Sequence, residues 1–204
     1  MTASEPSAAF TGALANEQFV LQSVAGASIS ESGSRAALYF SALSSGLVAV
    51  GFASSSRGAL AALAFTVLPT VCLLGCLTVV RLVDTSVENL VALRRIERIR
   101  RYWSTLDPAG EEFFAVDDPA LGQHGVRYGA WALLFTMASM VALINAVLVG
   151  AVVALFLALA LALPALVATL AGVLAGLVAT VIGLVYEQRR LRPLVAGGME
   201  GDHR

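Results

Sequence analysis

The chain has 204 residues, of which 58% are hydrophobic and 13% are charged, and its mean hydropathy is +0.81. About a quarter of the residues of a soluble domain are charged, so this composition excludes an ordinary soluble domain and disorder over most of the chain, and it favours a protein embedded in lipid. The formal net charge of −1 excludes a global positive field that would attract nucleic acid.

The first segment in chain order, residues 1–35, is expected to lie in the cytoplasm. It opens with MTASEPSAAF, which has no basic residue and no early apolar core, so no secretory signal peptide is expected. Asn16 is placed to cap a short helix that presents Phe19, Val20 and Val24. The Ser/Gly-rich stretch that follows weakens any long helix, and residues 1–13 are expected to be disordered.

Residues 36–83 are predicted to form a transmembrane hairpin. Its spans lie near 36–53 and 59–80, and the length of each falls within the roughly 17–25 residues of a transmembrane helix. Pro69 is expected to kink the second span. Cys72 and Cys76 share one face of that span and are interpreted as small packing residues, with a redox pair or a metal site as the alternative.

Residues 84–126 are predicted to be cytoplasmic and to begin with an extension of the second span. No Pro or Gly occurs between Gly75 and Pro108, so one helix is expected to continue to about Leu106. At about 100° per residue its apolar side chains fall on one side and its arginines on the other, which predicts a basic amphipathic helix. The candidate membrane-surface or partner-binding residues are Arg94, Arg95, Arg98, Arg100, Arg101 and Trp103.

Three surfaces are available to cover the apolar side of this helix. The helix can lie on anionic lipid headgroups, at about 1 kcal/mol per basic residue, or it can pack on a second copy of the chain or on the N-terminal segment. The sequence leaves these three open. The stretch 107–126 that follows carries five carboxylates and no arginine; it is interpreted as a solvated loop, with a divalent-cation site as the alternative.

Residues 127–186 are predicted to form a second transmembrane hairpin, followed by a cytoplasmic tail over 187–204. The run 128–186 contains no charged residue and is far too long for one crossing, so it must fold back on itself. Spans are expected near 129–151 and 163–186, with the turn between Gly150 and Pro164.

The distribution of basic and aromatic residues predicts the topology. Arginines are concentrated in 81–127 and after the fourth span, which by the positive-inside rule places this segment and both termini in the cytoplasm. Tyr39, Tyr128, Trp131 and Tyr186 fall at the same predicted ends of the spans, at the depth that Tyr and Trp prefer. The prediction is a multi-pass protein of the cell (inner) membrane.

Small residues recur at every fourth position in both spans of the second hairpin, a pattern typical of helices that approach closely in lipid. Asn145 is strongly polar and near mid-membrane; we interpret it as an interhelical hydrogen-bond partner, with a pore-lining role as the alternative. The candidate helix-packing residues are Ala142, Asn145, Ala146, Gly172 and Gly176. Contacts within one chain are favoured over contacts between chains, and both stay open.

The motifs of common enzymes are missing from the sequence: it has no Gly-rich phosphate loop, no HExxH and no GxSxG, and its two histidines are too scattered for a metal site. We therefore expect no enzyme, no cofactor, no metal and no nucleic-acid partner. The leading hypothesis is a non-enzymatic membrane protein that acts by helix-mediated assembly with itself or with a membrane protein partner. The alternative is an oligomeric pore or channel-like effector gated by the cytoplasmic helix.

The order of a short N-terminal helix, a hairpin of spans and a long basic helix resembles the SLATT-type membrane effectors of bacterial nucleotide-signalled conflict systems. The residues that carry the likeness are 36–83 and the helix DTSVENLVALRRIERIRRYW at 84–103. The resemblance implies oligomerisation and membrane permeabilisation when a partner signals. The chain is also similar to small four-span membrane proteins of actinobacteria, in keeping with thirteen basic residues that are all arginine.

Overall fold

The computed structural model describes residues 7–106 and 136–199, with side chains as far as residue 191. Over these residues the fold is all-helical. The helices are α1 (Ala8–Phe52), α2 (Arg57–Leu106), α3 (Met137–Leu159) and α4 (Ala165–Met199), and a 3-10 turn at Ala53–Ser55 joins the first two. Each of the four is long and apolar enough to cross a membrane. The all-α prediction is confirmed, and the four helices support a multi-pass membrane protein.

Helix α1 differs from the prediction because it is a single helix from Ala8 to Phe52. Its first turn is capped by Ser7, whose Oγ accepts a hydrogen bond from the backbone N–H of Phe10 at 3.3 Å. Asn16 therefore lies inside the helix, and the expected short helix after a disordered stretch 1–13 is wrong for the part that is described. Leu21 and Ala25 are buried, and such tertiary packing outweighs the weak helix propensity of the Ser/Gly-rich stretch.

Helix α2 runs without interruption from Arg57 to Leu106. The prediction that the second span continues as one helix to about Leu106 is confirmed. Pro69 lies inside this helix, and transmembrane helices tolerate an internal proline.

Helices α3 and α4 are displaced towards the C-terminus relative to the predicted spans. Helix α3 occupies Met137–Leu159 where a span near 129–151 was expected, and α4 continues to Met199 where the span was expected to end near residue 186. The side chain of Thr136 caps α3 by accepting from the N–H of Ser139, and the turn at 160–164 includes Ala162 with φ 52°. The run 128–186 has no charged residue that would mark the end of a helix, so helix caps and turn geometry decide where α3 and α4 begin and end.

The chain divides into two compact units. In its described part, the first unit contains residues 8–31 of α1 and 85–106 of α2, and we call it the two-helix unit. The second contains the remainder of α1 and α2 together with α3 and α4, and we call it the span bundle.

The core of the span bundle is formed by buried side chains of α1, α2 and α3. Leu82, Val83 and Val141 are fully buried, and Tyr39 is 0% exposed. Tyr39, which was expected among the interfacial aromatic residues, packs its ring in this core, and its hydroxyl has a protein partner. Tyr128 and Trp131 lie outside the described residues.

Candidate functional site

A buried polar cluster links three helices of the span bundle. The Tyr39 hydroxyl on α1 donates a hydrogen bond to Asn145 Oδ1 on α3 at 3.3 Å, and Asn145 Nδ2 donates to Cys76 Sγ on α2 at 3.3 Å. Asn145 is 5% exposed, so both ends of its amide need partners inside the protein. Asn145 thus makes interhelical hydrogen bonds, the interpretation that its position in the sequence favoured.

Gly75 makes room for this cluster. A methyl group at Gly75 would overlap Asn145 Oδ1 and would lie 2.5 Å from Asn145 Cγ and 2.8 Å from Tyr39 Cε2. Carbon atoms pack at about 3.5–4.0 Å. The absence of a side chain at position 75 is therefore what lets the amide of Asn145 and the ring of Tyr39 meet beside α2.

The two cysteines are free thiols, with Cys72 half-buried and Cys76 exposed. Cys76 accepts the hydrogen bond from Asn145, and therefore belongs to the polar cluster. Within residues 7–106 and 136–199, no group of three or more His, Cys, Asp or Glu side chains is placed to hold a metal ion.

Helices α3 and α4 approach each other through glycines. A methyl group at Gly150 would lie 2.7 Å from the carbonyl oxygen of Gly172, and one at Gly176 would lie 3.0 Å from the carbonyl oxygen of Ala146. Ala142 lies at the same interface, 3.4 Å from the position of a methyl group at Gly183. The small-residue stripes of the second hairpin are therefore used within one chain.

The opposite face of α4 carries large apolar side chains that no described residue covers. Leu166, Leu174 and Ile182 are more than half exposed, as expected for a helix that faces lipid. Helix α1 approaches α2 closely at Gly46, where a methyl group would lie 2.9 Å from Val67 Cγ1, whereas Ser41 and Ser45 on α1 are exposed.

Polar pairs tie the end of α4 to the rest of the span bundle. The hydroxyl of Thr136, which caps α3, donates to Glu187 Oε1 at 2.5 Å, and Glu187 is 3% exposed. One turn further on, Arg190 donates to Asp84 Oδ1 on α2 at 3.1 Å. The carboxyl group of Glu187 thus lies beside the residue that caps the N-terminal end of α3. Residues 187–191, expected to belong to the tail, are part of α4.

In the two-helix unit, the apolar side of the basic helix packs on α1. Ile96 and Ile99 are buried in one cluster with Leu21 and Ala25 of α1, and Trp103 packs against the same cluster. The sequence left three possible partners for this apolar side, and in the structure the N-terminal segment covers it.

The arginines lie away from this cluster. We call Arg94, Arg95, Arg98 and Arg101 the arginine surface; Arg94 is half-buried and the other three are exposed. Arg101 pairs with Glu97 at 3.2 Å. Within residues 7–106 and 136–199, the guanidinium groups of Arg94, Arg95 and Arg98 make no hydrogen bond or ion pair. Arg100 is half-buried at the flank of the helix.

Several residues of these sites did not stand out in the sequence. Gly75 and Tyr39 matter because of Asn145, which is far away in sequence, and no local pattern links the three. Thr136 could have been recognised in the sequence, because a Thr just before an apolar run is a typical N-cap of a helix. Glu187 was assigned to the tail because it follows the uncharged run directly.

No family model matches this chain, and neither a curated protein nor a solved structure matches it.

Proposed function

We propose that this chain is a non-enzymatic integral membrane protein that acts by helix-mediated assembly with a partner or with itself. Its proposed place is the cytoplasmic membrane of a bacterium, with the two-helix unit and both termini in the cytoplasm. One observation carries the proposal: the apolar faces of the two-helix unit cover each other, while no residue in 7–106 or 136–191 pairs with the guanidinium groups of Arg94, Arg95 and Arg98 on the arginine surface.

The buried polar groups of the span bundle support a role in assembly rather than turnover. The amide of Asn145 is engaged by Tyr39 and Cys76, and the carboxylate of Glu187 is engaged by Thr136. Each bond joins two different helices, so each holds the bundle together. These bonds give the span bundle a structural role that needs no reacting group.

The mass of the assembly in native lipid tests this proposal. The chain is extracted from its own membranes in polymer nanodiscs without detergent, and the discs are analysed by native mass spectrometry. We expect masses that exceed one chain of 21.1 kDa, either by multiples of that mass or by the mass of one partner. Discs that hold one chain and lipid alone, at every extraction ratio, would contradict assembly.

A second candidate, an oligomeric pore, is favoured by a separate observation. Ser41, Ser44 and Ser45 are exposed on α1 within a candidate span, and several chains could place these hydroxyls around a common water path. The resemblance to SLATT-type effectors implies the same activity. Release of a trapped dye from liposomes that contain the purified chain tests it. Release by the native chain that is lost in a Ser41→Leu and Ser45→Leu double variant would favour the pore over docking.

A further inference from the structure

The two-helix unit covers the face that a basic amphipathic helix would insert into a membrane. Ile96 and Ile99 are each 8% exposed, and Trp103 packs against the same cluster. Interfacial helices bind by burying that face about 5–10 Å into the boundary between headgroups and acyl chains. Because α1 already occupies this face, the guanidinium groups are what the basic helix presents to an outside ligand.

The arginine surface is a regular row of charges. Arg94, Arg98 and Arg101 follow one another at helical spacing on one face of α2, and Arg95 lies beside them. At about 1.5 Å per residue the row is roughly 10 Å long. A guanidinium group is a planar fork that binds a carboxylate through two parallel hydrogen bonds. Carboxylates at the same spacing on a second helix match this row in both charge and geometry.

We infer that the arginine surface docks an acidic helix of a partner protein, one that carries Glu or Asp side chains at positions i, i+4 and i+7. The inference rests on the proposed function, assembly with a partner, and names the chemistry of that partner. Glu97 does not neutralise the surface, because it pairs with Arg101 at 3.2 Å and both side chains are exposed, at 39% and 55%. An exposed pair of this kind is weak, so a partner carboxylate can displace it.

Binding of a model acidic peptide to the full chain tests the inference. The chain is placed in nanodiscs of phosphatidylcholine, which carry no net charge. The probe is a fluorescent Ala/Glu peptide of about 20 residues, long enough to be helical in water, with Glu at the stated spacing. The same peptide with Gln in place of Glu is the control, and fluorescence anisotropy gives the Kd.

The native chain is expected to bind the Glu peptide and not the Gln peptide, and added salt is expected to raise the Kd. Replacing Arg94, Arg98 and Arg101 by Gln should raise the Kd about tenfold, a loss of about 1.4 kcal/mol. The matched variant Arg100→Gln, at the flank of the helix, should stay within about twofold of the native Kd, a change of about 0.4 kcal/mol at most. Equal binding of both peptides, or equal effects of the triple and the Arg100 variants, would overturn the inference.

Two further outcomes separate this inference from its rival and from the proposed function. If phosphatidylglycerol in the discs abolishes peptide binding to the native chain, the arginine surface serves anionic headgroups, one of the ligands that the sequence left open, and the inference is wrong. If the native assembly keeps its mass in the triple variant, the docking surface is wrong while assembly stands. A chain that binds the peptide but is single in native discs contradicts assembly and leaves the surface standing.

Discussion

The close contact of α3 and α4 at Gly172 makes a quantitative prediction for the variant Gly172→Ala. The added methyl group would lie 2.5 Å from the carbonyl oxygen of Gly150 and 2.8 Å from Ala154 Cβ. Neither neighbour has a flexible end that could swing away, since one is backbone and the other is a Cβ atom. The two helices must therefore move apart along their length.

The expected cost follows from these distances. A separation of roughly 0.5–1 Å forfeits about a quarter to a half of the dispersion energy of each contact, and overpacking of this kind costs about 1–3 kcal/mol. Replacing Gly by Ala inside a helix returns up to about 1 kcal/mol of helix propensity. With the full offset, we expect Gly172→Ala to lower the free energy of unfolding by up to about 2 kcal/mol.

Gly183→Ala in the same helix is the matched control. Its methyl group would lie 3.4 Å from Ala142 Cβ, which is ordinary packing, so the propensity gain remains and its stability should equal or exceed that of the native chain by up to about 1 kcal/mol. Both variants are unfolded by titrating dodecyl sulfate into mixed micelles while far-UV circular dichroism is followed. If Gly172→Ala is as stable as Gly183→Ala, the inference of a close glycine contact between α3 and α4 is refuted.

Three further experiments test the remaining contacts by the same titration. Tyr39→Phe and Asn145→Ala should show a coupling energy of about 0.5–1.5 kcal/mol in a double-mutant cycle, and additive losses would exclude their hydrogen bond. Thr136→Val should lower the free energy of unfolding by about 1–2 kcal/mol and speed amide exchange at Ser139, because the cap of α3 is lost. Thr136→Ser should leave both the stability and the exchange rate near those of the native chain, and equal effects of the two variants would exclude the cap. Ile99→Ala should cost about 2–4 kcal/mol by opening a cavity in the two-helix unit, and a loss well below 1 kcal/mol would show that α1 does not cover it.

The helices of the span regions were predicted correctly where the residues of a single stretch of chain are enough to determine the structure. Long apolar runs predict helices in lipid because every backbone polar group there must be satisfied internally, and four helices of the required length are present. The continuity of α2 could be predicted as well, because Pro and Gly, which break or bend helices, do not occur between Gly75 and Pro108. The unbroken α1 could not be predicted, because its Ser/Gly-rich middle has weak helix propensity and is kept helical by tertiary packing.

The residues of the candidate sites show the same division. Asn145 could be singled out by its polarity in an apolar run, but its partners Tyr39 and Cys76 depend on how three helices meet. The arginine surface could be predicted from the spacing of its residues on one helix. Only the structure, in which Ile96 is buried against α1, shows which of the three possible partners covers the apolar side of that helix.

The chain's own pattern of hydropathy and helix breakers therefore determines that this protein forms helices long and apolar enough to cross a membrane and that α2 continues unbroken to Leu106, because these are properties of neighbouring residues. Where α3 begins and which groups pair across helices were decided only in three dimensions. Residues 128–186 carry no charge, so the sequence does not distinguish one candidate helix boundary from another. The cap at Thr136 and the glycine contact at Gly150 set the position of α3 by how it packs against α4. Packing between residues that are distant in sequence cannot be recognised from a local sequence pattern.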